Sequence, residues 1–540
     1  MQKWKWWIMG VVFLIALGAR FYNFKETIYF GYDEAVDWYR SQEIYINHDL
    51  KIQGMPATGN LGIFHGPLSW YLIGPMYALV GWDIEKFQII MRVFNSMMVW
   101  PIYIIAATIA SPIAGIMAGL IFATSFSAVQ FAYFVGNPTF GLYAWIIIGL
   151  GVVAILSKKY RNWGPILLLI GAGLATQANL LLFYVNAAVI IILWILRDRI
   201  GKIGKKFWAG AVFFWMALVS SFLMAEMKYG FRNIKTLWMM KQNGWGVTSS
   251  GESWIGMYGQ KYADLFKDSL GAGIKINWLW IGIGLGLTIF LIKKTKENVW
   301  AKVLLVWLYS WIILAAVFMH NGYYTHIGLG VAVAITAGWI VNEFWNKGKY
   351  KLVLGGLLIM VVANLWVVAN QSNKSLISGI KPQPDVKYED MKRIMDYWYT
   401  EAAGNNFTVR MVGIPYKVQT LWAAVLTNYG QKKYGYSPIW ELGNIEVFPG
   451  RLPVPTKGTT CVRFFTREPM RGLPLEIIEG ERSEEELFST VTETKEFGSY
   501  LVEKRNAWAK DCVATPPQQS SRKSCPSNRK NDSGREWWGR

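Results

Sequence analysis

The sequence predicts an α-helical polytopic membrane protein with a small α/β domain outside the bilayer near its C-terminus. Three observations predict it. Hydrophobic residues fill 53% of the 540 positions and charged residues only 17%, against about 25% charged in soluble proteins. Apolar runs long enough to cross about 30 Å of hydrocarbon recur up to about residue 370. Basic residues cluster between those runs. A wholly soluble globule and a disordered chain are excluded, and three cysteines are too few for a disulfide framework.

The runs lie near residues 4–22, 87–107, 112–132, 139–157, 163–177, 179–196, 208–226, 276–293, 300–319, 323–342 and 351–370, which makes eleven. A twelfth stretch, 67–82, is shorter and carries Pro67 and Pro75. Charge decides its role. Lys3 and Lys5 open the chain. Lys158, Lys159 and Arg161 follow. The next cluster is Arg197, Arg199, Lys202, Lys205 and Lys206. Then come Lys293, Lys294, Lys296 and Lys302, and finally Lys347, Lys349 and Lys351. Cytoplasmic loops attract Lys and Arg. Eleven spans with 67–82 lying at the outer surface as a re-entrant helix put all five clusters inside. The N-terminus is then cytoplasmic, and 23–86, 227–275 and everything beyond 371 lie outside. The net charge of +20 follows from this topology and is not read as a nucleic-acid footprint. Lys3, Lys5 and Ala16-Leu17-Gly18 also fit a signal peptide, but an uncleaved first helix is the ordinary start of a polytopic chain.

Residues 1–370 therefore form the transmembrane domain, and 371–505 the outer one. Within the latter, Met391, Ile394, Met395 and Trp398 recur at helical spacing. Residues 407–412 alternate like a strand, 417–429 suit a helix, and short strand-like runs lie at 461–466 and 498–503. The segment 506–540 is Ser-, Asn-, Lys- and Arg-rich without periodicity and is expected to be disordered.

The spans are nearly free of ionisable residues, whereas coupled transporters place carboxylates mid-span. All four histidines, His48, His65, His320 and His326, map to the outer face under this topology. Just past the first span comes Phe30-Gly31-Tyr32-Asp33-Glu34-Ala35, and later His65-Gly66-Pro67-Leu68. An adjacent Asp-Glu pair at the membrane surface suits a general base with its neighbour; it suits equally an acidic cap on a juxtamembrane helix.

This arrangement resembles the GT-C membrane glycosyltransferases, which include the protein O-mannosyltransferases, the aminoarabinose transferases and bacterial family-39-like enzymes. The likeness is carried by Asp33-Glu34, by His65-Gly66-Pro67-Leu68, and by Arg92 opening the next span. It continues in Asn137-Pro138, Gly173-Leu174-Ala175-Thr176-Gln177, Met227 to Asn233, Tyr323-Tyr324-Thr325-His326 and Tyr429 to Tyr436. It covers roughly residues 1–505. His65-Gly66-Pro67 lacks the family's double proline, and Asn137 stands where several members carry an acid.

The resemblance implies transfer of a sugar from a polyprenyl-phosphate donor to a protein, lipid or glycan acceptor at the outer face of the plasma membrane, with inversion. It implies Asp33 as general base with Glu34 beside it. His65, Arg92 and His326 would bind the donor phosphate, and Tyr32, Asn137, Gln177 and Tyr324 the substrates. A monophosphate leaving group requires no metal or other cofactor. Plain structural roles fit some of these residues too: a headgroup anchor for Arg92, a satisfied interfacial imidazole for His326, helix caps for Gln177 and Asn137. The alternatives are a metal-dependent oligosaccharyltransferase or glycan ligase, and a flippase. A flippase should show polar residues mid-membrane in paired halves.

Overall fold

The computed structural model describes residues 3–56, 63–243, 254–313, 326–370, 385–440, 460–469 and 473–508. It divides into two compact units, Met1–Met391 with Pro469–Gly472 and Lys392–Glu468 with Leu473–Arg540.

The first unit is helical. In chain order it opens with α1 (Lys3–Phe21), α2 (Tyr32–Asn47), α3 (Leu68–Leu79), α4 (Ile84–Met97) and α5 (Val99–Ile109). Then come α6 (Pro112–Thr124), α7 (Phe126–Tyr133), α8 (Thr139–Leu156) and α9 (Gly164–Ala178). Among the described residues five helices are long and apolar enough to cross a membrane: Trp4–Phe21, Ile84–Ile109, Thr139–Leu156, Lys205–Lys228 and Tyr350–Asn370. The pair α6 and α7, bent by 55°, makes a sixth if it is one span. Shorter apolar helices lie at Leu180–Ile195 and Val299–Ile313.

α3 has twelve residues, about 18 Å at 1.5 Å per residue, and is too short to span the hydrocarbon. It lies against α2 instead: Ser41 Oγ donates to the Trp70 carbonyl at 3.3 Å and Tyr45 Oη to the Tyr71 carbonyl at 2.6 Å. Local sequence sets the other breaks. Ser111 caps α6, accepting from the Ile113 and Ala114 amides, and Pro112 stands at a position where a missing N–H costs nothing. Ser125 ends α6 and caps α7 through the Ala128 amide. Around that break Ala19, Phe126, Val129, Tyr133, Ala272, Val367 and Val368 form one buried apolar cluster.

The second unit holds a five-stranded sheet. β1 (Phe407–Val412) lies between β2 (Ile439–Trp440) and β3 (Val462–Arg467), parallel to both. β5 (Tyr500–Ala507) runs antiparallel to β3, and β4 (Ser489–Phe497) forms the far edge. Trp398, Phe407, Trp422, Phe464 and Val502 are buried in its core. Arg463 and Glu485, both 1% exposed, pair at 2.6 Å. Burial pushes the Glu468 carboxyl up to about 7, although the Trp422 indole donates to it. Cys461 is disulfide-bonded, and the chain's other cysteines, Cys512 and Cys525, lie outside the described residues. Against the expected disorder from 506, β5 continues to Ala507; 509–540 lie outside the described residues.

Candidate active site

The site is built from the turn after α1. Gly31 is the N-cap of α2, and the Glu34 carboxylate accepts from the Gly31 amide at 2.9 Å. This is the carboxylate half of a capping box. Glu34 is buried, its second oxygen has no hydrogen-bond partner among the described residues, and burial together with Asp33 raises its pKa well above the ordinary value. Asp33, one residue earlier, is half-buried and makes no hydrogen bond or ion pair among the described residues. Loss of solvent pushes its carboxyl up to about 6. Asp37, one turn further on, is buried and accepts from the Trp70 indole at 2.5 Å, and burial raises it strongly. Three carboxylates thus crowd the start of α2 with no cation paired to them among the described residues.

The chain segment before α2 is pinned from two sides. Tyr29 pairs with Lys387, the Tyr388 amide donates to the Ile28 carbonyl at 3.1 Å, and the Phe30 and Tyr388 rings meet edge to face. On the other side Tyr29 packs on Phe134, with ring centroids 6.2 Å apart.

Arg92 of α4 lies beneath this segment with no exposed surface. Its Nη1 donates to the Arg20 carbonyl at 2.8 Å and to Thr27 Oγ1 at 2.9 Å. The guanidinium lies 4.7 Å from the Phe24 ring and 4.4 Å from that of Tyr133. Nε and Nη2 have no hydrogen-bond partner among the described residues. Arg20 is also fully buried. It donates to Asn95 Oδ1 at 2.7 Å and to the Ala123 carbonyl at 2.8 Å, and its Nη2 has no hydrogen-bond partner among the described residues. Sequence reasoning missed Arg20 as a site residue, because an arginine at a span end resembles a headgroup anchor.

His65 and Gln177 form a second group. The Leu180 amide donates to His65 Nδ1 at 3.2 Å, and burial pushes the imidazole down to about 4. His65 is therefore neutral at pH 7, with its proton assigned to Nε2 and free to donate. Gln177 accepts from the Leu68 amide at 3.4 Å and donates to Ser221 Oγ at 2.7 Å and to the Leu218 carbonyl. It clasps the loop before α3 to α9 and Lys205–Lys228. A Cβ at Gly66 would lie 1.8 Å from Gln177 Oε1, which explains the glycine where the resemblance expects proline.

His326 lies elsewhere in this unit. It is 8% exposed, with its ring 4.6 Å from that of Trp311, and it lines a small cavity with Ser127, Phe131, Lys261, Asp264 and Asp268. Nothing in the sequence marks this cavity; Lys261, Asp264 and Asp268 share one helical face at spacings of three and four, a pattern that also suits a solvated surface. Asn137, in the turn between α7 and α8, has a buried Nδ2 without a hydrogen-bond partner among the described residues. Tyr32 is half-buried at the start of α2. Tyr324 and His320 lie outside the described residues. The structure thus places Asp33 and Glu34 at the head of α2 and Arg92 against Phe24 and Thr27 of the segment that leads into it, with His65 and Gln177 together and His326 at the cavity.

Compared with solved structures, the chain is similar to ArnT from Cupriavidus metallidurans bound to undecaprenyl phosphate. The TM-score is 0.58 at 11% identity, covering 95% of this chain and 99% of that one. The chain has the GT-C fold. It is similar too to the oligosaccharyltransferase AglB from Archaeoglobus fulgidus, in complex with an inhibitory peptide and a dolichol-phosphate. There the TM-score is 0.50 at 11% identity, over 78% of this chain. The chain spans only 63% of that enzyme's length. No protein-family model and no curated protein sequence matches it. Among the described residues no three His, Cys, Asp or Glu side chains are grouped as metal ligands.

Proposed function

We propose that this GT-C-fold protein is a plasma-membrane glycosyltransferase that moves a sugar from a polyprenyl-phosphate donor to an acceptor at the outer face. The observation that carries this is the Asp33 carboxylate, half-buried at the head of α2 and without a hydrogen bond or ion pair among the described residues. In this reading Asp33 takes the proton of the acceptor hydroxyl. The acceptor oxygen then attacks the anomeric carbon, the carbon–oxygen bond to phosphate breaks, and its electron pair leaves on the lipid phosphate, inverting the sugar. Arg92 supplies Nε and Nη2 to the departing phosphate. His65, as a neutral donor, and His326 assist it. Glu34 holds the helix start, and Tyr32, Asn137, Gln177 and Tyr324 shape the substrate path.

Eleven spans with the N-terminus inside complete the reading. Two observations support an extracytoplasmic second unit: the five basic clusters and the disulfide at Cys461, since such bridges persist in oxidising compartments. The purified protein in nanodiscs, given a radiolabelled polyprenyl-phosphate sugar and a membrane extract as acceptor source, should transfer label, and Asp33→Asn should not. Movement of labelled lipid across vesicles without transfer would replace the enzyme by a flippase.

A further inference from the structure

His65 stands in irregular chain. Phe64 faces Pro56 in an isolated antiparallel bridge, the His65 amide donates to the Met55 carbonyl at 2.8 Å, and the Gly54 amide donates to the His65 carbonyl at 2.9 Å. Two short strands alone are marginally stable, so this loop needs anchors from outside. The Leu180 amide holds the imidazole, and Gln177 holds the Leu68 amide. Successive amides point to opposite sides of an extended chain. With that of His65 turned to Met55, that of Phe64 points the other way, and a buried N–H without a partner is costly. Asn233 Oδ1 accepts from the Phe64 amide at 2.9 Å, across 169 positions of chain.

Asn233 is itself fixed. The helix Lys205–Lys228 ends in a turn through Gly230 and Phe231, at φ +63° and +60°, and the helix Arg232–Asn243 follows. The first amides of a helix have no partner within it. Here the Glu226 carboxylate, from the preceding helix, accepts from those of Asn233 and Ile234 at 3.2 and 3.4 Å, and the Phe231 amide donates to the Glu226 carbonyl at 2.7 Å. Asn233 is 5% exposed, and the neighbouring Arg232 guanidinium lies 5.3 Å from the Phe64 ring. Gln177, at the other end of the loop, donates to Ser221 Oγ at 2.7 Å. Both flanks of His65 are therefore referred to one apolar helix: Phe64 through Asn233 and Glu226, Leu68 through Gln177 and Ser221.

Between those flanks the imidazole uses Nδ1 to accept from Leu180, and its Nε2 makes no hydrogen bond among the described residues. We infer that Asn233 is a positioning residue for His65, holding the Phe64 amide so that the free Nε2–H is aimed at the departing lipid phosphate, an inference that rests on the transferase reading above. Asn233 acts only through His65.

The test uses the full-length protein in nanodiscs and has two readouts. The first needs no substrate. The chain has four histidines, and in nitrogen NMR of protein carrying labelled histidine the acceptor and N–H nitrogens of a neutral ring give distinct signals; His65→Ala assigns the His65 pair. Asn233→Ala should bring those two signals toward each other, as the Leu180 bond loosens and the tautomers mix, while exposed His48 and His326 stay unmoved. The second readout is transfer from a labelled polyprenyl-phosphate sugar. Misplacing a reacting group by about 1 Å costs about a hundredfold. A loop still held at Leu180 and Leu68 moves less, so Asn233→Ala should lower kcat about tenfold with donor KM within about twofold. In the His65→Ala background the same change should cost less than about twofold. If Asn233→Ala does not fold, Asn233→Ser, whose shorter side chain stops short of the Phe64 amide, takes its place. Unmoved His65 signals in the folded variant would overturn the inference. So would a full tenfold loss that persists without His65, since Asn233 would then act through another group. A wild type that transfers no label, with His65 still shifted by Asn233→Ala, would sink the transferase reading and leave Asn233 as the anchor of His65.

Discussion

If Asp33 is the base, the pH profile of transfer reports its ionisation. Burial pushes this carboxyl up to about 6. Only the ionised form can take a proton, so activity is present above that value and is lost as pH falls through it. With a pKa of about 6, about 90% of Asp33 is ionised at pH 7, about 50% at pH 6 and about 10% at pH 5. An ordinary aspartate near 3.9 would still be about 90% ionised at pH 5. The structure therefore predicts about a tenfold fall in single-turnover rate between pH 7 and pH 5, where an unperturbed base predicts almost none. The assay is rapid-quench transfer in nanodiscs at saturating labelled donor, so that binding does not limit the rate. Asp33→Asn keeps the shape and removes the basicity. It should lower the rate by about 10²–10⁴, and its residual rate should be flat over the same range. A wild type flat from pH 7 to 5, or an Asn variant that keeps the acid limb, would refute the assignment.

Three further outcomes are expected. Glu34→Ala removes the hydrogen bond to the Gly31 amide and should cost about 0.5–2 kcal/mol in a denaturation assay, whereas Glu34→Gln, which retains an acceptor oxygen, should stay near the wild type. Arg92→Ala should raise the donor KM by about ten- to a hundredfold, since hydrogen bonds from charged groups contribute roughly 1.5–3 kcal/mol; an unchanged KM would move the phosphate elsewhere. A cysteine at Thr494, exposed on β4, should react with an impermeant thiol reagent in intact cells while one at Lys202 stays protected, and the reverse pattern would overturn the topology.

The residues differ in how openly the sequence announces them. The helices follow from apolar runs, and the re-entrant reading of 67–82 from length and charge, because both depend only on local composition. Asp33 and Glu34 were visible as a pair, but their division of labour was not. One caps the helix and the other stands unpaired, and that depends on which carboxylate folds back to Gly31. Asp37 was overlooked because a polar residue one turn into a helix is unremarkable until Trp70 from another helix covers it. β4 was missed for a related reason. Its Thr, Glu and Lys residues are almost all exposed, so no alternation marks it. The signal that could have found it is Phe497-Gly498-Ser499-Tyr500, a two-residue glycine turn between paired strand ends, with Gly498 at φ +58°. The cavity had no such signal, since Ser127 and Asp268 are 141 positions apart and meet only through packing.

The break between α6 and α7 ties these parts together. A helix interrupted inside a bilayer leaves backbone groups without partners, and this is tolerated only where the irregular stretch is buried in protein or lines a cavity. Here both conditions operate. Ser125 takes the Ala128 amide with its hydroxyl oxygen and donates that hydroxyl to the Asp268 carbonyl at 3.3 Å, so the break is stitched to the helix that forms the cavity wall. The 55° bend then sends Tyr133 toward Arg92 and leaves Phe122 between Arg20 and the cavity. A straight helix through 112–133 could not present both faces in this way. One serine at a helix junction thus positions the cationic pair on one side and the polar cavity on the other.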